Sequence, residues 1–392
     1  MYQRFCGFIL VAMGLAALPL GAQQPCPSFT VAVNTDEDQL MLAVNGANGP
    51  QDQLTALDKF AQEHADSKFM PCVNEYYATA NFKLNNFDKA IEYAEKDLAV
   101  NYQDLNLFLT LMRAYASSTK VSDTVFEVIN KVPDQAKAET GTPARPPKAT
   151  EEEWAKIQKD SQELAKDSHD YAVWAFFQIL PRVTDPAKRI QVLDTFLKVY
   201  PEQEKENAAQ INRGYFEAYR LQNNLDKTVE YGEKAIAADP NDLAVINLLG
   251  FIYGVVNRTN LDRALDYAKK SVTLAQNVKK PEGVSDEAFK QEQNNQLAMA
   301  HLTIGFVDFQ QAGKTRKVAP AIEELKTASE LASANPQLQG QALFYLANAY
   351  EYQFPANHRA AMDALNKAVT LPGPFQSQAQ ALLAKVKAAV NK

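Results

Sequence analysis

Three decapeptides constrain this chain more than any other feature. Phe87-Asp-Lys-Ala-Ile-Glu-Tyr-Ala-Glu-Lys96 and Leu225-Asp-Lys-Thr-Val-Glu-Tyr-Gly-Glu-Lys234 are nearly the same segment, and Leu261-Asp-Arg-Ala-Leu-Asp-Tyr-Ala-Lys-Lys270 is a third copy. Each follows a helical stretch of similar length and enters a run ending in a break such as Ala238-Asp-Pro-Asn241. Such recurrence implies one supersecondary unit stacked on copies of itself, because a single helix pair cannot bury its apolar face alone. Composition agrees, since 15 glycines and 58 alanines in 392 residues suit helices and are poor material for turn-rich sandwiches or barrels.

These features resemble the tetratricopeptide repeat, a helix-turn-helix unit of about 34 residues. The resemblance implies an all-α, right-handed superhelix, an α-solenoid, with small residues where paired helices approach and where the second helix meets the next unit. Gly250, Ala264 and Ser271 match that requirement, as do Gly305, Ala321 and Ala328, and then Ala347, Ala361 and Ala368. The match spans residues 34–373 and is fullest over 71–104 and 209–373. The unit at 209–242 carries bulky Phe216 at a close-packed position. Units at 105–138 and 170–203 depart further, with Met112 and Lys131 in one and Phe177, Arg189 and Phe196 in the other.

Residues 1–22 read as a secretory signal peptide: Arg4, an apolar run from Phe5 to Leu18, then small residues before Gln23. That run is short for a membrane span, which needs about 20 residues, so an uncleaved anchor is the lesser alternative. The mature chain is expected to be exported, periplasmic or extracellular, and not membrane-spanning. Cys6 leaves with the signal. Cys26 and Cys72 remain as a possible disulfide, the alternative being two unpaired thiols. Residues 23–33 form an extended arm, 34–138 the N-terminal repeats, and 139–150 a Pro-rich linker. Thr150 and Glu153 then spell a capping box opening a long helix in 151–203. Ser285 opens a second long helix after Pro281, and 209–373 holds the C-terminal repeats. Residues 374–392 form a last amphipathic helix that caps the open apolar end.

The formal net charge of −7 argues against a nucleic-acid surface, which needs clustered Lys and Arg. The four histidines are scattered, and no H-E-x-x-H, C-x-x-C, G-x-S-x-G or G-x-G-x-x-G motif occurs. Gly313-Lys314-Thr315 mimics the end of a phosphate loop but lacks the earlier glycine and the preceding strand. No enzyme activity, cofactor or metal is therefore expected.

In the resembled family the first helices line a concave groove, and the matching positions here are Arg113, Tyr171, Trp174, Arg213, Glu217, Arg220, Asn247, Phe251, Phe306, Phe309, Phe344 and Asn348. Aromatic and Arg side chains dominate binding hot spots, and the Arg213–Arg220 pair is the harder to bury. The resemblance thus implies a non-enzymatic scaffold that holds a protein or an extended peptide within an envelope assembly. The alternative is a periplasmic solute- or glycan-binding protein that stacks sugars on Trp174 and Tyr171.

Overall fold

The computed structural model describes residues 35–67, 70–99, 104–141, 145 and 149–390, without the side chains of 38, 71, 72 and 314. The expected signal segment at 1–22, the expected arm at 23–33, Cys26, the Cys72 side chain and most of the expected linker lie outside that description. Among the described residues all regular structure is helical, so the chain is all-α. It divides into two compact units, one reaching Glu204 and one starting at Lys205, where the sequence reading expected a single array.

The first unit contains α1 (Asp36–Asn45), α2 (Pro50–Glu63), α3 (Met70–Lys83), α4 (Phe87–Leu98), α5 (Leu105–Ser117), α6 (Asp123–Thr140), α7 (Glu151–Ile179) and α8 (Pro186–Val199). A short α9 (Gln203–Glu206) follows. The second unit contains α10 (Ala208–Leu221), α11 (Leu225–Ala238), α12 (Leu243–Phe251), α13 (Leu261–Asn277), α14 (Asp286–Ala312), α15 (Ala319–Leu331), α16 (Pro336–Tyr352), α17 (His358–Ala368) and α18 (Gln376–Val390). Within each unit helices pair into antiparallel hairpins, and successive hairpins stack side by side. Each unit is therefore an α-solenoid.

Close approach is purchased with small side chains. A Cβ added to Gly305 would stand 2.7 Å from Leu325 Cγ and 3.1 Å from the Ala321 carbonyl, so α14 and α15 touch through their backbones. Ala264, Ala321, Ala328, Ala347 and Ala361 are fully enclosed. Phe216 fits its hairpin by a local exchange of volume. The decapeptide alanine seen at Ala94 is replaced by Gly232, whose added Cβ would lie 3.0 Å from the Phe216 ring. In the last hairpin of the first unit, Phe176 and Phe196 stack at 3.7 Å between α7 and α8, filling with aromatic volume what small residues fill elsewhere.

The recurring decapeptide letters also have contacts. Its tyrosine stacks on a ring of the preceding helix, Tyr93 on Tyr77 at 4.5 Å and Tyr231 on Tyr215 at 4.7 Å. Its glutamate accepts a hydrogen bond from a tyrosine of the next hairpin: Tyr115 to Glu95 at 2.6 Å and Tyr253 to Glu233 at 2.8 Å. Burial raises the pKa of both phenols, so they stay neutral donors.

Local signals set the helix ends. Thr150 and Glu153 form the reciprocal capping box that starts α7, and Ser285 caps α14 by accepting from the Ala288 amide. Both helices run more than twice the length of their neighbours' first helices in α5 or α12, pairing with the lengthened α6 and α13. The linker begins two residues later than expected, because α6 continues to Thr140 despite Pro133. The terminal helix likewise starts at Gln376 rather than Pro374.

Candidate functional site

Of the groove positions, three converge in the first unit. Arg113 stands on α5 and Tyr171 and Trp174 on α7, the first helices of adjacent hairpins. The Arg113 guanidinium lies 5.4 Å from the centroid of the Tyr171 ring, and that ring lies 5.1 Å from Trp174. Trp174 is 49% exposed, which is unusual for so large an apolar side chain. Burial raises the Tyr171 pKa and the Arg113 charge lowers it in part. The result is an amphipathic platform: one π face held by a cation, a second open to solvent, and a phenol kept protonated.

The platform is supported from behind. Phe176, two residues past Trp174 on α7, packs edge-on against Phe126 at 5.9 Å, and Tyr200 donates to the Ile129 carbonyl at 2.7 Å. Arg182, just past α7, donates to the carbonyls of Tyr115 and Ala116 at 2.6 and 2.9 Å. It thus satisfies the end of α5, the helix that carries Arg113. Sequence reasoning passed over Arg182 because its partners are backbone atoms of another hairpin, which leave no letter pattern.

In the second unit the candidates scatter. Arg213 and Arg220 are exposed but engaged: Arg213 pairs with Asp242 at 3.0 Å and Arg220 with Glu217 at 2.8 Å. They hold the N-cap of α12 and the face of α10 instead of presenting free charge. Asn247 is buried, its amide donating to the backbone and side-chain oxygens of Gln296 at 2.8 Å each. The lengthened α14 carries Gln296 across that position and closes it. Phe306 is also buried, packed on Tyr345 at 4.5 Å with Arg258 over its face. Asn247 and Phe306 are therefore core residues, correcting the sequence assignment. Phe251, Phe309 and Phe344 are half-buried against the same core, and Asn348 donates back to the Phe344 carbonyl on its own helix.

Among the described residues no group of three or more His, Cys, Asp or Glu is placed to hold a metal ion, and no helix is long and apolar enough to cross a membrane. No protein-family model matches the sequence, and no curated protein matches it. Among solved structures, the chain is similar to one in the crystal structure of the APC/C hetero-tetramer Cut9–Hcn1, with TM-score 0.40 and 14% identity over 90% of this chain and 64% of that one. It is similar to one in the structure of Naa15/Naa10 bound to HypK-THB, with TM-score 0.23 and 15% identity over 86% of this chain and 58% of that one. The crystal structure of yeast Tom70 gives TM-score 0.22 and 14% identity over 91% of this chain and 88% of that one. This chain thus spans less than two thirds of the length of the first two.

Proposed function

We propose that the chain is an exported, non-enzymatic scaffold that binds an extended peptide or a protein surface, with Arg113, Tyr171 and Trp174 as the anchor of the contact. The observation that carries this reading is the half-exposed Trp174, ordered by Tyr171 and Arg113 yet needed by no core. Large rigid rings beside an Arg give area and charge at small entropic cost, which is why such residues concentrate in hot spots. A partner segment lying across α5 and α7 would meet both helices at once. Export rests on the residue order at 1–22, and an N-terminus at Gln23 in the secreted protein is the corresponding measurement.

Crosslinking from a photoreactive residue at position 113 or 174 in the native compartment tests the reading. Discrete protein products are expected, and Trp174→Ala should weaken the captured partner's binding about thirtyfold, the 2 kcal/mol of a hot-spot residue. Saccharide-induced thermal stabilisation with no protein captured would sink this reading in favour of the glycan-binding alternative.

A further inference from the structure

The second unit carries an unusual edge. Successive first helices α12, α14 and α16 pack side by side, each antiparallel to its own second helix. The turns inside the hairpins therefore line up, and they touch one another. Gln311 donates to Asp262 at 3.3 Å, Tyr352 donates to the Gly313 carbonyl at 2.8 Å, and Phe309 meets Tyr352 edge-on at 5.6 Å.

Two kinds of side chain crown this row. Leu221, Leu225 and Val256 are exposed there, and Phe354 stands 82% exposed at the α16–α17 turn. Between them are Arg258, Arg316, Lys317 and Arg359, all exposed and none with a carboxylate in ion-pair reach among the described residues. Arg258 and Arg316 hold φ of 54° and 53°, a left-handed conformation that glycine or asparagine adopts more cheaply. Asparagine takes this conformation elsewhere, at Asn85 in the first unit, at Asn223 in the α10–α11 turn and at Asn260 two residues after Arg258. Each guanidinium is steadied by a ring of this unit, Arg258 over Phe306 at 5.4 Å and Arg316 over Tyr352 at 5.5 Å, while the side chain stays exposed.

The carboxylates of this edge are set back or engaged. Asp226 and Asp262 sit in the first turns of α11 and α13, where the helix dipole favours them. Glu351 holds His358 at 2.9 Å, and Lys227 and Arg263 are neutralised by Glu230 and Glu233. The tips are thus apolar and cationic while the whole chain is −7. An anionic surface would repel most of the molecule and accept this edge.

We propose that this edge docks on an anionic lipid bilayer, with Phe354 entering the headgroup region and Arg258, Arg316, Lys317 and Arg359 meeting lipid phosphates. Single apolar tips separated by cations offer no continuous groove for a helix or strand of a protein partner, whereas a fluid bilayer needs no matching shape. Interfacial binding requires this combination of apolar insertion and basic charge.

Vesicle co-sedimentation tests the proposal, using the chain from Gln23 onward because the apolar run at 5–18 would enter lipid by itself. Binding is expected to phosphatidylcholine vesicles containing phosphatidylglycerol, not to phosphatidylcholine alone, and to fall with added salt. Phe354→Ser should weaken it about tenfold or more, as loss of a buried phenyl ring requires. The double variant Arg316→Glu, Lys317→Glu should do the same. A Phe354→Trp variant should show a blue-shifted emission on anionic vesicles only. These positions are exposed, so unchanged thermal melting checks that each variant folds. Absence of binding to anionic vesicles, equal binding to both lipids, or unaltered binding by Phe354→Ser overturns the proposal. So does self-association that Phe354→Ser abolishes without any vesicle binding, since the edge would then join two copies. Trp174→Ala should leave vesicle binding intact, which separates this outcome from the fate of the peptide-binding reading.

Discussion

Asp97 is the residue least at ease in the fold. It is fully buried near the C-terminal end of α4, neither carboxylate oxygen has a hydrogen-bond partner among the described residues, and the helix dipole there opposes a negative charge. Burial first, then the charge of Asp104, raises its pKa from 3.8 to about 7. Glu75 on α3 is raised from 4.5 to about 8 by burial and then by Asp104 and Asp97. Glu139 is also raised by burial, although the Gln135 side chain and the Leu105 amide donate to it and offset the rise. Both Asp97 and Glu75 bind protons more tightly folded than unfolded. Their contribution is therefore fully present below the ordinary carboxylate pKa, near pH 4, and is lost as pH rises through about 7 and 8. Urea unfolding should show the first unit losing stability across that window. Asp97→Asn should flatten the decline and leave the protein about 2 kcal/mol more stable than the parent at pH 8. A variant that tracks the parent at every pH would contradict this account. The letters mark the position but not its energetics: Asp97 follows its decapeptide where Ala235 and Ser271 follow the other two copies, and all three are buried.

At the scale of elements, the repeat pattern was legible because it reports backbone approach directly. Gly305 illustrates it. Gly→Ala in a helix interior ordinarily gains up to about 1 kcal/mol from propensity, yet here the new methyl would enter the α15 backbone. Gly305→Ala should therefore destabilise the second unit by about 1–3 kcal/mol, read as a lower urea midpoint. A gain in stability would show that the hairpin can open at no cost. The capping box was equally legible, since Thr150 and Glu153 interact within one turn of sequence. The groove positions were not. Mapping them assumes that every first helix has its standard length and winding, but α14 extends over Asn247, and α12 continues as a π-helical turn through Ile252–Val256. Arg113, Tyr171 and Trp174 came together where α5 and α7 keep the ordinary stacking.

At the scale of the molecule, each stacked unit must end its apolar interior somewhere. In the second unit α18 does this, burying Ala379, Leu383 and Val386 against the last hairpin while Phe375 packs on Phe344 and Tyr345 at 5.5 and 5.4 Å. Truncation after Gly373 should expose that face, seen as increased binding of a hydrophobic dye and faster amide exchange in α16 and α17. Unaltered exchange would mean α18 is an appendage. The sequence by itself determined the all-helical class, the repeat, the capped long helices and the lack of catalytic motifs. Each of those depends on local propensity or on a period along the chain. Only the tertiary structure decided which aromatic rings are core and which are surface, and which arginines are neutralised. Those outcomes depend on partners one hairpin or more away, which local letters do not specify.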